Sequence, residues 1–468
     1  ASKPTLDYAG ATITYHTLGN TEEIARIVST TGELYEYVLT KCDSATSQAK
    51  TDYPSATVVK VPVMSVTAHS APTLSFLDEL DVEHMIVAYS GHNNVVSTEV
   101  RSNFTANSVP DTYDSSSYST NWTAMAAADP EVHFAGNGWG GYSAAIGVSG
   151  LPADQHDRVV MIDEVTEKTP LGRAEWIKVV GLITGKEERA DQTFKAIKSS
   201  YEQAKLIANS VLAGDKPKTV HASFFSGSMY AAASDSYMAE LLRDAGGDYI
   251  VPDTYTQGSA MPLSDLETIL ADAEVYFNSG TRVVTVDALI GSADILKTAS
   301  AAKCDNMYEW AKRYVDAGGY DALDFFEGAI VKPHLSLQDA IAALHPDLMT
   351  NYETYFTTRL TTSSQDLGGC PFDAEENENE ESSSTSSGGG KKKKKNDDND
   401  DDEPMVSPSA QVAAMAEDTI ITLVVCLSVG VLLIGAAAGA IGYYRGRRTQ
   451  AQAAETSSFK NIAVAQRT

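Results

Sequence analysis

Three short stretches of the chain combine glycine, hydroxyl and aromatic side chains as ligand-contacting loops do: Tyr89-Ser-Gly-His-Asn-Asn94, Gly136-Asn-Gly-Trp-Gly-Gly-Tyr142 and Phe225-Ser-Gly-Ser-Met-Tyr230. Glycine lets backbone approach a ligand. Tyr89, His92, Asn137, Trp139, Tyr142, Phe225, Ser228, Met229 and Tyr230 supply flat, hydroxyl and amide contacts. For any single aromatic among them, packing inside the fold is an equally good use. Arg173, in Leu171-Gly-Arg-Ala-Glu-Trp176, either points a cation at ligand oxygens or bonds a nearby carboxylate, and the sequence favours neither. This is the chemistry of binding. Ser90 with His92, or Asp163 with Glu164, have the residue types of a catalytic pair, but there is no nucleophile elbow, HExxH or phosphate loop. The expectation is a binder that needs no cofactor, with an adhesive or structural role as the non-enzymatic alternative.

Each stretch follows an apolar run read as a strand: His84–Tyr89, Val132–Ala135 and Val220–Phe225. Further strands are expected at Thr12–Tyr15, Tyr35–Leu39, Val58–Val63, Val159–Ile162 and Val275–Phe277. Helical spacing marks Thr73–Leu80, Tyr237–Asp244, Leu266–Ala273, Ala288–Ala302, Asp321–Phe326 and Ser336–Leu344. Strands alternating with helices predict parallel α/β sheets, with functional loops at the strand C-termini. Between the two such regions runs Thr169–Leu212. Pro170 starts it, Gly185 interrupts it, and from Glu187 onward Ala190, Phe194, Ile197, Tyr201, Ala204, Ile207, Ala208 and Val211 recur three and four apart. A helix from Glu187 to Leu212 is roughly 39 Å long, enough to cross between two small domains. The expected fold is α/β, two Rossmann-like lobes (1–165 and 214–366) joined by a single long rigid helix (166–213).

With 468 residues and a net charge of −28, the chain is a poor partner for nucleic acid or an anionic membrane surface. Residues 367–418 are expected to be a charged, disordered stalk: Asp373–Pro408 has almost no apolar residue, and its Lys391–Lys395 run is set between acidic blocks. Thr419–Tyr444 carries no charge and is long enough to span a bilayer. Arg445, Arg447 and Arg448 follow it, so the positive-inside rule puts the tail 445–468 in the cytoplasm and the N-terminal part outside, as a single-pass type I protein of the plasma membrane. The chain opens as a processed precursor would. Asn103-Phe-Thr and Asn121-Trp-Thr are sequons consistent with that route. Cys42, Cys304 and Cys370 lie outside the span; Cys304–Cys370 is one candidate pairing, and sequence does not choose among the possibilities. No Cys/His spacing fits a zinc finger.

The segments TPLGRAEWIKVVGLITGKEERA from Thr169, SYMAELLRDAGGDY at Ser236–Tyr249 and FFEGAIVKPHLSLQDAIAALHPDLM at Phe325–Met349 carry a resemblance. In that order, over roughly Tyr8 to Leu360, the chain resembles the class III substrate-binding proteins of iron-siderophore and cobalamin ABC importers. The stalked, anchored format is similar to the cell-surface ferrichrome-binding-like proteins of diatoms. The resemblance implies two lobes around a cleft holding an iron(III)-siderophore, of hydroxamate type, whose metal is already coordinated. It also implies a rival, a bare transition metal held by His69, His133, His221 and Asp287, whose intervals resemble the zinc and manganese cluster of related proteins; cobalamin or haem is a third cargo. Bacterial members dock on their permease through a carboxylate on each lobe. Here the first position, counted back from Pro130, is Thr123, while Glu267 matches the second. That departure disfavours an ABC permease and favours an endocytic or reductase partner.

Overall fold

A first sheet is built from β1 (Ala11–Leu18), β2 (Glu22–Ser29), β3 (Glu36–Thr40) and β4 (Thr57–Lys60), in that order. The computed structural model describes residues 3–18, 22–29, 35–116, 119–136, 150–225, 228–255, 260–280, 282–318 and 320–372. β1, β2 and β3 are antiparallel and only β3–β4 is parallel, which corrects the expectation of a purely parallel first lobe. β2 escaped the sequence reading because Glu22, Glu23 and Arg26 break up its apolar pattern, although Ala25 and Ile27 are buried.

The second sheet is parallel throughout. It consists of β5 (Val66–Ala68), β6 (Ile86–Tyr89), β7 (Val132–Ala135) and β8 (Val159–Met161), in the order β8-β7-β5-β6. Helices α1 (Ala71–Glu79) and α2 (Thr98–Ala106) accompany it.

The connection between lobes begins at Thr169, whose hydroxyl accepts from the Gly172 amide at 3.0 Å and so caps α3 (Pro170–Glu175). Every residue of α3 and of α4 (Ile177–Thr184) is buried. Gly185, at φ +72°, ends α4 in the left-handed conformation that glycine adopts without strain. The long helix α5 follows as Glu187–Ala208, 22 residues. It is shorter than expected: Asn209 and Ser210 take the chain out of the helix, the Ser210 hydroxyl donates to the Ile207 carbonyl at 2.7 Å, and Ile207 is 42% exposed. Ala190, Phe194, Ile197, Tyr201, Ala204 and Ala208 form its buried face. α5 is fastened to both lobes. Near its start Arg189 donates to the Glu79 carbonyl at 2.8 Å and pairs with Asp81; near its end Tyr201 and Lys205 both reach Asp244.

The second lobe has a sheet of β9 (Lys218–Phe225), β10 (Ser228–Ala231), β11 (Val275–Asn278), β12 (Met307–Glu309) and β13 (Thr358–Arg359), ordered β10-β9-β11-β12-β13. Its interior pairings are parallel and its edges antiparallel. Helices α6 (Tyr237–Asp244) and α7 (Pro333–Leu344) pack in this lobe. Two helical expectations fail here. Asp321–Leu323 is a strand paired with Tyr314–Asp316, followed by a 3₁₀ turn, and Ala288–Ala302 is broken into Val286–Ser292, a 3₁₀ turn and Ser300–Lys303. Cys304 and Cys370 are joined by a disulfide, and Cys42 takes no part in one.

Asn103 is buried and its amide donates to the Glu83 carbonyl at 2.7 Å, so a glycan there is incompatible with the fold; Asn121 is exposed. Among the described residues no helix is long and apolar enough to cross a membrane. Of the expected stalk 367–418, residues 367–372 belong to the folded part, where Leu367 packs against the core and Cys370 is bridged to Cys304; 373–418, the span 419–444 and the tail lie outside the described residues.

The Phe194 ring lies 6.1 Å from that of Tyr8 and 4.5 Å beneath the Lys178 ammonium. Phe194→Ala is expected to cost about 3–5 kcal/mol in urea unfolding. A loss below about 1 kcal/mol would show that α5 is not a core element.

Candidate functional site: the interlobe cleft

Parallel strands deliver their C-terminal ends to one edge of a sheet, and in both lobes that edge opens onto a cleft of about 590 Å³. From the first lobe β5 leads to His69 and Ser70, β6 to Ser90, β7 to Gly136 and β8 to Glu164. From the second, β9 contributes His221 and Ser223, and β11 leads to Ser279 and Gly280.

Of the residues singled out from sequence, Tyr89, Arg173 and Tyr230 line the cleft. Asn137, Trp139 and Tyr142 lie outside the described residues. Met229 does not line the cleft, and the hairpin register shows why. Ser223 opposes Tyr230 and Phe224 opposes Met229, so Tyr230 and Ser228 share one face while Met229 is fully buried on the other. Ser228, paired with Phe225 near the end of the hairpin, does not line the cleft. His92 also sits off the wall, its ring 4.4 Å from that of Phe104. Its loop is clasped by Asp111, which accepts from the amides of Gly91, His92 and Tyr113. Gly91 sits there at φ +95°, a conformation that disfavours any side chain. Ser90 is hydrogen-bonded to Thr120 at 2.9 Å. Arg173 takes the second of its two expected roles: its Nε donates to Glu164 at 2.9 Å, and its guanidinium lies 4.2 Å over the Tyr237 ring.

The alternative metal set is not brought together. His69 and His221 line the cleft, but His133 is a core histidine bonded to Thr67 at 2.8 Å and Gln155 at 2.9 Å. Asp287 accepts from Ser363, Ser364 and Gln365. Burial among aromatic rings pushes the His221 imidazole down to about 4, so it stays neutral. Among the described residues no group of three His, Cys, Asp or Glu side chains is placed to hold a metal ion.

Sequence reasoning missed the wall built by 320–330. Tyr320, Phe325 and Phe326 face the cleft, and the same segment holds the lobes together. Tyr320 donates to Asn94 at 2.7 Å, and Glu327 accepts from the Val96 and Ser97 amides at the start of α2, at 2.6 and 2.9 Å. Lys332 pairs with Glu79 at 2.7 Å. The glycine pair before Tyr320 was the available signal for a hairpin there.

The Periplasmic binding protein family model matches residues 77–314, just over half of the chain, and the chain belongs to that family. It is a solute binder and not an enzyme. A periplasmic haem-binding protein from Pseudomonas aeruginosa is 12% identical with a TM-score of 0.50, over 65% of this chain and 100% of its own. A periplasmic binding protein from Veillonella parvula is 13% identical with a TM-score of 0.49, over 73% and 97%. The siderophore-binding protein BauB, solved with acinetobactin and ferric iron, is 14% identical with a TM-score of 0.42, over 61% and 93%. At such identities the likeness is one of fold alone. No curated protein matches the chain in sequence.

Burial raises the Glu327 carboxyl from its ordinary 4.5 to about 7, against the two amide hydrogen bonds that favour its charged form. A carboxyl raised in this way contributes stability that is fully present below about 4.5 and is lost as pH rises through about 7. The urea midpoint is expected to fall more steeply between pH 5 and 8 in the parent than in Glu327→Gln. Parallel slopes would contradict this.

Proposed function

We propose that the chain captures an iron(III)-siderophore complex of the hydroxamate type between its lobes, as a cell-surface receptor for iron uptake. The observation that carries this reading is a large cleft walled by rings, hydroxyls and small side chains, without a metal-ligand group among the described residues. Iron that arrives fully coordinated needs no protein ligand in such a cleft. A ferric hydroxamate presents amide and methylene surface, which Tyr230, Tyr320 and Phe326 can pack against and Ser90, Thr120 and Ser223 can hydrogen-bond. The charge-free span at 419–444 would hold the receptor at the plasma membrane, and the stalk would set the cleft away from it. Thr123 and Glu267 are both exposed, but Thr123 brings no carboxylate to a docking surface. This supports hand-off to an endocytic or reductase partner over a permease.

Native mass spectrometry of the protein with ferrioxamine, ferrichrome, cobalamin, haem and zinc tests the assignment. Ferric hydroxamates are expected to bind as intact complexes. Tyr230→Ala should weaken them by about 2 kcal/mol, whereas His133→Ala, once shown to be folded, should leave their affinity unchanged. Tight zinc binding without ferrioxamine binding would overturn the reading.

A further inference from the structure

Each cation on the described cleft wall faces a carboxylate, one pair buried and one exposed. Two are present, Arg173 and Lys168, against four carboxylates, Glu164, Glu167, Asp235 and Asp321. Arg173 is bonded to Glu164 and covered by Tyr237. Lys168 is paired with Asp235. Glu167 accepts from the Gly10 amide and the Trp176 indole and has no ion pair, and Asp321 faces Arg282 at 3.4 Å. The residues outside the described set between 117 and 319 add no charge: 137–149 reads NGWGGYSAAIGVS, and the others are Ser, Tyr, Thr, Gln or Gly. Among the described residues, an anion entering this cleft would lose water and meet only cations that already face a carboxylate, inside a chain whose net charge is −28.

We propose that the cleft selects its cargo by charge, admitting neutral or cationic ferric chelates and rejecting anionic ones, with Glu164 and Asp235 as specificity-determining residues because each neutralises one wall cation. The inference rests on the reading of the cleft as a ferric-chelate site and names the charge class within it. It separates complexes of the same metal and the same donor atoms, which shape and aromatic contact alone do not.

Three complexes differing only at one amine provide the test: ferrioxamine B, which is cationic, its neutral N-acetyl derivative and its anionic N-succinyl derivative. Binding to the detergent-solubilised full chain is read by tryptophan fluorescence. The succinyl form is expected to bind at least about tenfold more weakly than the acetyl form, and ferrioxamine B no more weakly than the acetyl form. Asp235→Asn, which frees the exposed Lys168, should close most of the acetyl-to-succinyl gap. Glu164→Gln should do the same at Arg173, and because Asp235 is exposed its variant remains informative even where Glu164→Gln does not fold. Equal affinity for all three complexes would overturn charge selection while leaving the ferric-chelate reading intact. Failure of all three to bind would overturn that reading and this inference with it.

Discussion

The fully buried carboxylate of Glu175 holds the molecule together at the junction of its lobes. It accepts from the amides of Asp7, Tyr8 and Ala9 and pairs with the Lys178 ammonium at 2.8 Å. Glu167, in the segment before α3, takes the Gly10 amide and the Trp176 indole. Together they tie the N-terminal lead of β1 to α3 and α4, the buried helices that join the lobes. Removing one partner from such a group leaves a buried charge uncompensated, at a cost of about 3–5 kcal/mol. The connection is therefore part of the core. Glu327, Tyr320 and Lys332 add fastenings on the opposite side of the cleft.

The elements that could be read from sequence are those whose burial is local. α6 and β7 were placed to the residue, because Met238, Leu241 and Leu242 recur at helical spacing and Val132–Ala135 is buried on both faces. α5 is legible in the spacing of Phe194, Ile197 and Tyr201; its end is not, because Ile207 continues the apolar pattern yet meets solvent. Elements whose stability comes from distant partners were not legible. β2 is half polar, without a clean apolar run, and β1 and β3 bond it on both sides. Asp321–Leu323 has a composition suited to a helix and is held as a strand by Tyr314–Asp316.

The same distinction explains the site. Strand-end loops could be named, so Tyr89 and Tyr230 were found, but which face of the hairpin looked into the cleft depended on a register invisible without its partner, and Met229 fell on the wrong side. His69 and His221 were noticed for their type. That they share a cleft while His133 is satisfied by Thr67 and Gln155 follows only from the packing of three strands. The pairing of Arg173 with Glu164, nine residues apart, decides that this cation belongs to the protein and is not held open for a ligand.

An X-ray absorption spectrum of iron in the loaded protein tests the central claim, that the cleft holds a chelate whose coordination is complete before it arrives. The account predicts an all-oxygen first shell indistinguishable from that of the free ferric hydroxamate. Imidazole scattering from His69 or His221 in that shell, or loss of the hydroxamate oxygens on binding, would contradict it.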